Sequence, residues 1–113
     1  MSEKSNGRPA GATPNGQPLL EKVNGKSVLE WLEVHPGWSR KSNTLFKEYR
    51  LASFRDSIVF VNRIAGLADA ADHHPDIDIR YRRVTLSLST HSAGGLTAKD
   101  FDLADKIEEL LGG

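Results

Sequence analysis

Between Ile77 and Leu88 the chain alternates twice between apolar and polar residues. Ile77, Ile79 and Tyr81 alternate with Asp78 and Arg80; after Arg82-Arg83, Val84, Leu86 and Leu88 alternate with Thr85, Ser87 and Ser89. A period of two over such short runs predicts two strands, each with one apolar and one polar face. Strands joined by so short a break pair antiparallel. A sheet with a single apolar face needs a second layer to cover it, so the search for cover constrains the rest of the chain.

Three segments offer that cover. Ser53-x-x-Asp56 reads as a helix start. Beyond it, Phe54, Ile58, Val61, Ala65 and Ala68 form one apolar stripe, and Phe60, Ile64, Leu67 and Ala71 a second beside it. This predicts a helix of about five turns, stopped near Asp72 by Pro75. Its apolar arc is wider than one sheet face requires, which makes a subunit interface the expectation. Ser27-x-x-Glu30 predicts an N-cap at Ser27 for an earlier helix carrying Val28, Leu29, Trp31 and Leu32, ended by His35-Pro36-Gly37. Thr97-x-x-Asp100 predicts the last helix, with Phe101, Leu103, Ala104, Ile107, Leu110 and Leu111 on its apolar face. After Trp38, a turn at Lys41-Ser42-Asn43 leads into Leu45–Arg50, whose alternation is mixed, and two further strands are expected there.

The predicted order is α-β-β-α-β-β-α. That is an α+β domain of two layers, a four-stranded antiparallel sheet with three helices on one face. The other face, with Thr85, Ser87 and Ser89, is left open to solvent or to another chain. The domain is expected over residues 19–113. Residues 1–18 are Gly, Pro, Asn, Ser and charge, which predicts a disordered polar tail.

Fifteen basic and fifteen acidic residues cancel, so the chain as a whole has no electrostatic footprint for direct nucleic-acid binding. There is no cysteine, hence no disulfide framework, thiolate metal site or cysteine nucleophile. No apolar run approaches the roughly 20 residues of a membrane span, and no membrane association is expected. The opening MSEKSNGRPAG has no apolar core of a secretory signal, so the expected location is the cytoplasm.

Chemistry concentrates between Asp69 and Asp100, which hold His73, His74 and His91. His35, beside a helix end, reads as a dipole partner rather than a ligand. Adjacent His73 and His74 diverge on any regular backbone, and neither HExxH nor cysteine is present, so a metal site is not expected. A GxSxG elbow and a phosphate-binding glycine loop are also missing. What remains is acid–base work by imidazole, which gives and takes protons near neutral pH. In an unbroken strand His91 would continue the polar series Thr85, Ser87, Ser89, away from the core. Asp69, Asp72, Asp76 and Asp100 are near enough in sequence to orient an imidazole. Several imidazoles without an activated nucleophile suit elimination, hydration or isomerisation. Other readings stand beside these: Asp100 as a helix cap, Asp69 as a solvated helix residue, His73-His74 as a polar helix end.

The spacing of Asp69, His73-His74-Pro75, Tyr81, His91 and Asp100 resembles the signature of the pterin-4a-carbinolamine dehydratases. Pro36-Gly37-Trp38 resembles that family's tryptophan segment. Ser89-Thr90-His91 and Gly95-Leu96-Thr97-x-x-Asp100 resemble its closing motif, and the likeness runs from about Lys26 to Leu111. The resemblance implies dehydration of 4a-hydroxytetrahydropterin to quinonoid dihydropterin, which recycles pterin for aromatic amino acid hydroxylation without a metal or other cofactor. It implies a homodimer or homotetramer. It also implies that His73, His74 and His91 line the site as acid–base groups. Asp69 would orient a histidine or pair with the pterin, and Trp38 would form an aromatic wall. Thr90 would contact substrate, and Asp100 would hold the His91 side at the pocket edge. Relatives of the same fold that serve as dimerisation or assembly factors supply the alternative function.

Overall fold

The computed structural model describes residues 21–111. The polar tail expected over residues 1–18 lies outside them. The elements follow the expected order: α1 (Gly25–Glu33), β1 (Ser39–Lys41), β2 (Thr44–Arg50), α2 (Phe54–Ala71), β3 (Asp76–Arg80), β4 (Arg83–Leu88) and α3 (Ala98–Glu109). A short 3-10 turn, His91–Ala93, separates β4 from α3. The four strands form one antiparallel sheet in the order β1-β2-β4-β3.

The register explains the layering. Leu45 faces Leu88, Tyr49 faces Val84, and Ile77 and Ile79 face Leu86 and Val84. Directly opposed residues share a face, so the apolar sets of three strands make one surface. The helices close it with Val28 of α1, Phe60 and Ile64 of α2, and Phe101, Leu103 and Ile107 of α3. The expected two-layer α+β architecture is what the chain adopts.

Several local expectations are corrected. The N-cap of α1 is Asn24, not Ser27: the Asn24 side chain accepts from the Ser27 backbone N–H at 2.8 Å, which starts the helix earlier. The wide apolar arc of α2 is left partly uncovered, in line with expectation: Ser57, Phe60, Ile64 and Ala68 are buried, while Phe54 is 50% and Val59 46% exposed. Tyr81 leaves the apolar series of β3 for the hairpin turn, with φ 55° and 71% exposure. On the edge strand β3, Ile77 and Ile79 are only partly covered.

The mixed alternation of β2 also has a cause. Lys47 lies on the inner face between Leu45 and Tyr49, where its Nζ donates to Glu108 Oε2 of α3 at 2.8 Å. The Trp38 indole donates to the same oxygen at 3.2 Å, and the Tyr49 hydroxyl donates to it as well. Burial pushes the Glu108 carboxyl up, but these donors and the Lys47 charge outweigh it and leave the carboxyl below its ordinary value. Burial, then the Glu108 hydrogen bond and charge, push the Tyr49 hydroxyl above its own.

Candidate active site

The histidines are delivered by the ends of regular elements. Helix α2 stops in Asp72, whose left-handed conformation (φ 51°, ψ 44°) turns the chain back. The His73 N–H then bonds Ala68 O at 3.1 Å, and Pro75 prevents the helix from resuming. His91 arrives differently from the strand extension expected for it. β4 ends at Leu88, Thr90 pairs with Gly95 through two backbone bonds of 3.1 and 3.4 Å, and residues 91–94 bulge out between them. Gly94 closes the bulge at φ 72°, a conformation that glycine adopts without strain.

These ends meet around a cavity of about 280 Å³ whose lining includes His73, His74, His91, Thr90, Asp72 and Lys99. His73 is its most constrained member. Its Nε2 lies 2.6 Å from Asp100 Oδ1, with side-chain exposures of 11% and 0%. The other carboxylate oxygen, Oδ2, accepts from the Thr90 hydroxyl at 2.8 Å and from the Thr97 N–H at 2.9 Å. The Thr90 and Thr97 hydroxyls are themselves 2.8 Å apart. Asp100 is therefore both readings at once: it completes the capping box of α3 and holds an imidazole. Its two oxygens divide the work: Oδ1 holds the His73 ring directly, while Oδ2 holds Thr90, the residue before His91, so the His91 side is tied to it only through the chain.

His74 and Asp69 make a separate pair at 3.0 Å, exposed by 59% and 79%. Solvent screens such a pair, so it orients the ring loosely. His91 is exposed at the rim. Trp38, expected as an aromatic wall, is not brought to this cavity: it is 5% exposed and packed edge-on against Trp31 and Tyr49. His35 binds the Trp31 carbonyl at 2.7 Å and Asp105 at 2.9 Å, away from the other imidazoles. Among the described residues no group of three or more His, Cys, Asp or Glu side chains is placed to hold a metal ion. Lys99 and Thr97 escaped the sequence reading as site residues. The available signal was their position in and beside the capping box, one face of which the fold turns toward His73.

The model of the family described as pterin 4 alpha carbinolamine dehydratase matches residues 21–110. The chain belongs to that family. A relative from Roseiflexus sp. strain RS-1 is 60% identical over 93 residues, covering 82% of this chain and 100% of its own. One from Nocardia farcinica is 46% identical, covering 80% of this chain and 95% of its own. Both carry the name "putative pterin-4-alpha-carbinolamine dehydratase". Among solved structures, a transcriptional coactivator/pterin dehydratase from Brucella melitensis superposes with a TM-score of 0.76 at 26% identity, covering 79% of this chain and 97% of that one. A pterin dehydratase-like protein described as a RuBisCO assembly factor of the alpha-carboxysome shares the fold at 23% identity and a TM-score of 0.58, over 70% of this chain and 94% of that one. The histidine cavity of this dehydratase-family chain thus lies within the matched span. None of its described helices is long and apolar enough to cross a membrane.

Proposed function

We propose that this protein dehydrates 4a-hydroxytetrahydropterin to the quinonoid dihydropterin by imidazole acid–base catalysis. The observation that carries this is the His73–Asp100 pair, a cavity-lining imidazole locked at 2.6 Å onto a fully buried carboxylate. An ionised carboxylate only accepts, so Nε2 carries a proton whether His73 is neutral or charged. That leaves Nδ1 as the nitrogen that exchanges a proton with substrate. Such a fixed tautomer is what a general acid or base requires.

In the reaction the C4a–O bond breaks and the hydroxyl leaves as water after taking a proton. The N5–H proton passes to a base, and its bonding electrons form the new C=N bond. One imidazole of the cavity donates and a second group accepts; His73 and His91 face the same space and divide these tasks. The Thr90 hydroxyl stiffens Asp100, and His74 with Asp69 recognises the polar edge of the pterin at the open rim. The product feeds the recycling of pterin spent in aromatic hydroxylation. The exposed α2 face around Phe54 and Val59 and the open β3 edge fit a homodimer or homotetramer, which light scattering after size exclusion measures directly.

The test is ultraviolet detection of dehydration of freshly generated 4a-hydroxytetrahydropterin against the uncatalysed rate. Acceleration is expected, falling about 10²–10⁴-fold in His73→Ala and in His91→Ala, both still folded. Wild-type turnover in both variants would sink the catalytic assignment. A folded wild-type protein with no acceleration would turn attention to the assembly-factor alternative.

A further inference from the structure

At the end of the sheet remote from the histidines, arginines stand in a row. Arg50 of β2 is the cross-strand partner of Arg83 of β4, and Arg83 is also the partner of Arg80 of β3. All three occupy the polar outer face, because their neighbours Tyr49, Val84 and Ile79 belong to the apolar face. Arg82 in the hairpin turn adds a fourth, and with Tyr81 they line a concavity of about 520 Å³. Like charges set directly opposite each other destabilise a sheet, so packing does not account for the row.

Local carboxylates neutralise it only in part. Glu48 takes Arg50 Nε at 3.3 Å and Arg83 Nη1 at 3.9 Å, and Asp78 takes Arg80 Nε at 3.1 Å. Arg82 Nη1 donates to the Ala52 carbonyl at 3.4 Å. Each guanidinium carries several N–H donors in a planar fork suited to phosphate oxygens, and among the described residues each engages through one nitrogen. The remaining donors face solvent: the Arg50 and Arg80 side chains are 67% and 72% exposed.

The shape of the positive zone selects its ligand. The next cross-strand row is Glu48, Thr85 and Asp78, followed by Phe46, Ser87 and Asp76. A long polyanion running along the strands meets carboxylates at once. A compact one across the hairpin end meets guanidinium groups over about 10 Å, two inter-strand spacings. That width exceeds a single phosphate and suits guanidinium groups gripping the two ends of a short phosphoryl chain within one molecule. Tyr81 supplies an aromatic surface beside them. Its φ of 55° lies in the left-handed region that bulky residues rarely adopt, and its ring stands in solvent with the Arg82 guanidinium 5.9 Å from its centroid.

We propose that this hairpin end binds a compact oligophosphate attached to an aromatic base, the chemistry of a nucleoside di- or triphosphate. The site is independent of the histidine chemistry. The test is calorimetric titration of the full-length protein, at low salt and without added metal, with ATP and with inorganic tripolyphosphate, together with amide shift mapping. Both ligands are expected to saturate, with shifts centred on Tyr81–Arg83. Arg83→Glu should weaken both by roughly tenfold. Tyr81→Ala should bring ATP down to the affinity of tripolyphosphate. Arg80→Gln guards against a folding defect in the charge reversal and should weaken both ligands as well. Lack of saturation, undiminished binding in both arginine variants, or shifts confined to the histidine cavity would overturn the proposal. So would tighter binding of a single-stranded oligonucleotide with a salt slope of several phosphates, the mark of an extended nucleic-acid track.

Discussion

Replacing Asp100 by asparagine tests the site at its most constrained atom. The change is nearly isosteric, and Asp100 is fully buried, so water cannot compensate. The carboxylate accepts three donors: His73 Nε2, the Thr90 hydroxyl and the Thr97 N–H. An amide has one oxygen for them. Placing its NH₂ at the Oδ2 position would set it against two donors. Placing it at Oδ1 preserves those two bonds but faces the NH₂ to His73, whose Nε2 must then give up its proton and accept. The proton moves to Nδ1, and the nitrogen offered to substrate changes from base to donor. Charge-assisted bonds also become neutral ones, a loss of about 2 kcal/mol in total. For a domain of this size that lowers Tm by about 8–16 °C. Turnover should fall about 10²–10⁴-fold, the range for a misplaced general acid or base. Dehydration kinetics measured well below the lowered Tm, with nitrogen-15 NMR of the His73 ring, read both consequences. Native turnover in Asp100→Asn, or an unchanged His73 tautomer, would refute the reasoning.

Three further outcomes follow from other parts of the molecule. Glu108→Gln should destabilise by about 1 kcal/mol at neutral pH, a figure kept small because the group is partly solvated. Because the folded carboxyl is held below its ordinary value of 4.5, this contribution is present above that pH and is lost as pH falls through the folded value, so the Tm difference between variant and wild type should vanish in acid. Gly94→Ala meets no atom within 4 Å, so its penalty of about 1–2 kcal/mol is purely that of a left-handed alanine, and circular dichroism melts should show it alongside weaker turnover from a displaced His91. Deleting residues 1–18 is expected to alter neither Tm nor turnover, and a clear loss of either would assign that segment a role.

Much of this protein is decided locally, and local features are readable in a sequence. The alternation at residues 77–88 specifies two strands because successive side chains in a strand point to opposite faces. Ser53 and Thr97 mark helix starts because their hydroxyls bond the first free N–H groups. The spacing of His73, His74, His91 and Asp100 carries the family. One local expectation missed its position: Asn24, whose side chain also accepts a free N–H, caps α1 in place of Ser27. Long-range decisions were out of reach. Lys47 broke the pattern of β2 because its partner, Glu108, lies far along the chain. Trp38 left the expected site for the core for the same reason, since its indole N–H is held by Glu108. The pairing of Asp100 with His73 depends on α3 starting beneath the end of α2, and the arginine row depends on strand register. Local patterns along the chain were enough to specify the elements, their order and the chemical groups available. Which groups touch was settled by the folded chain, because those distances are set by packing between segments that no local period connects.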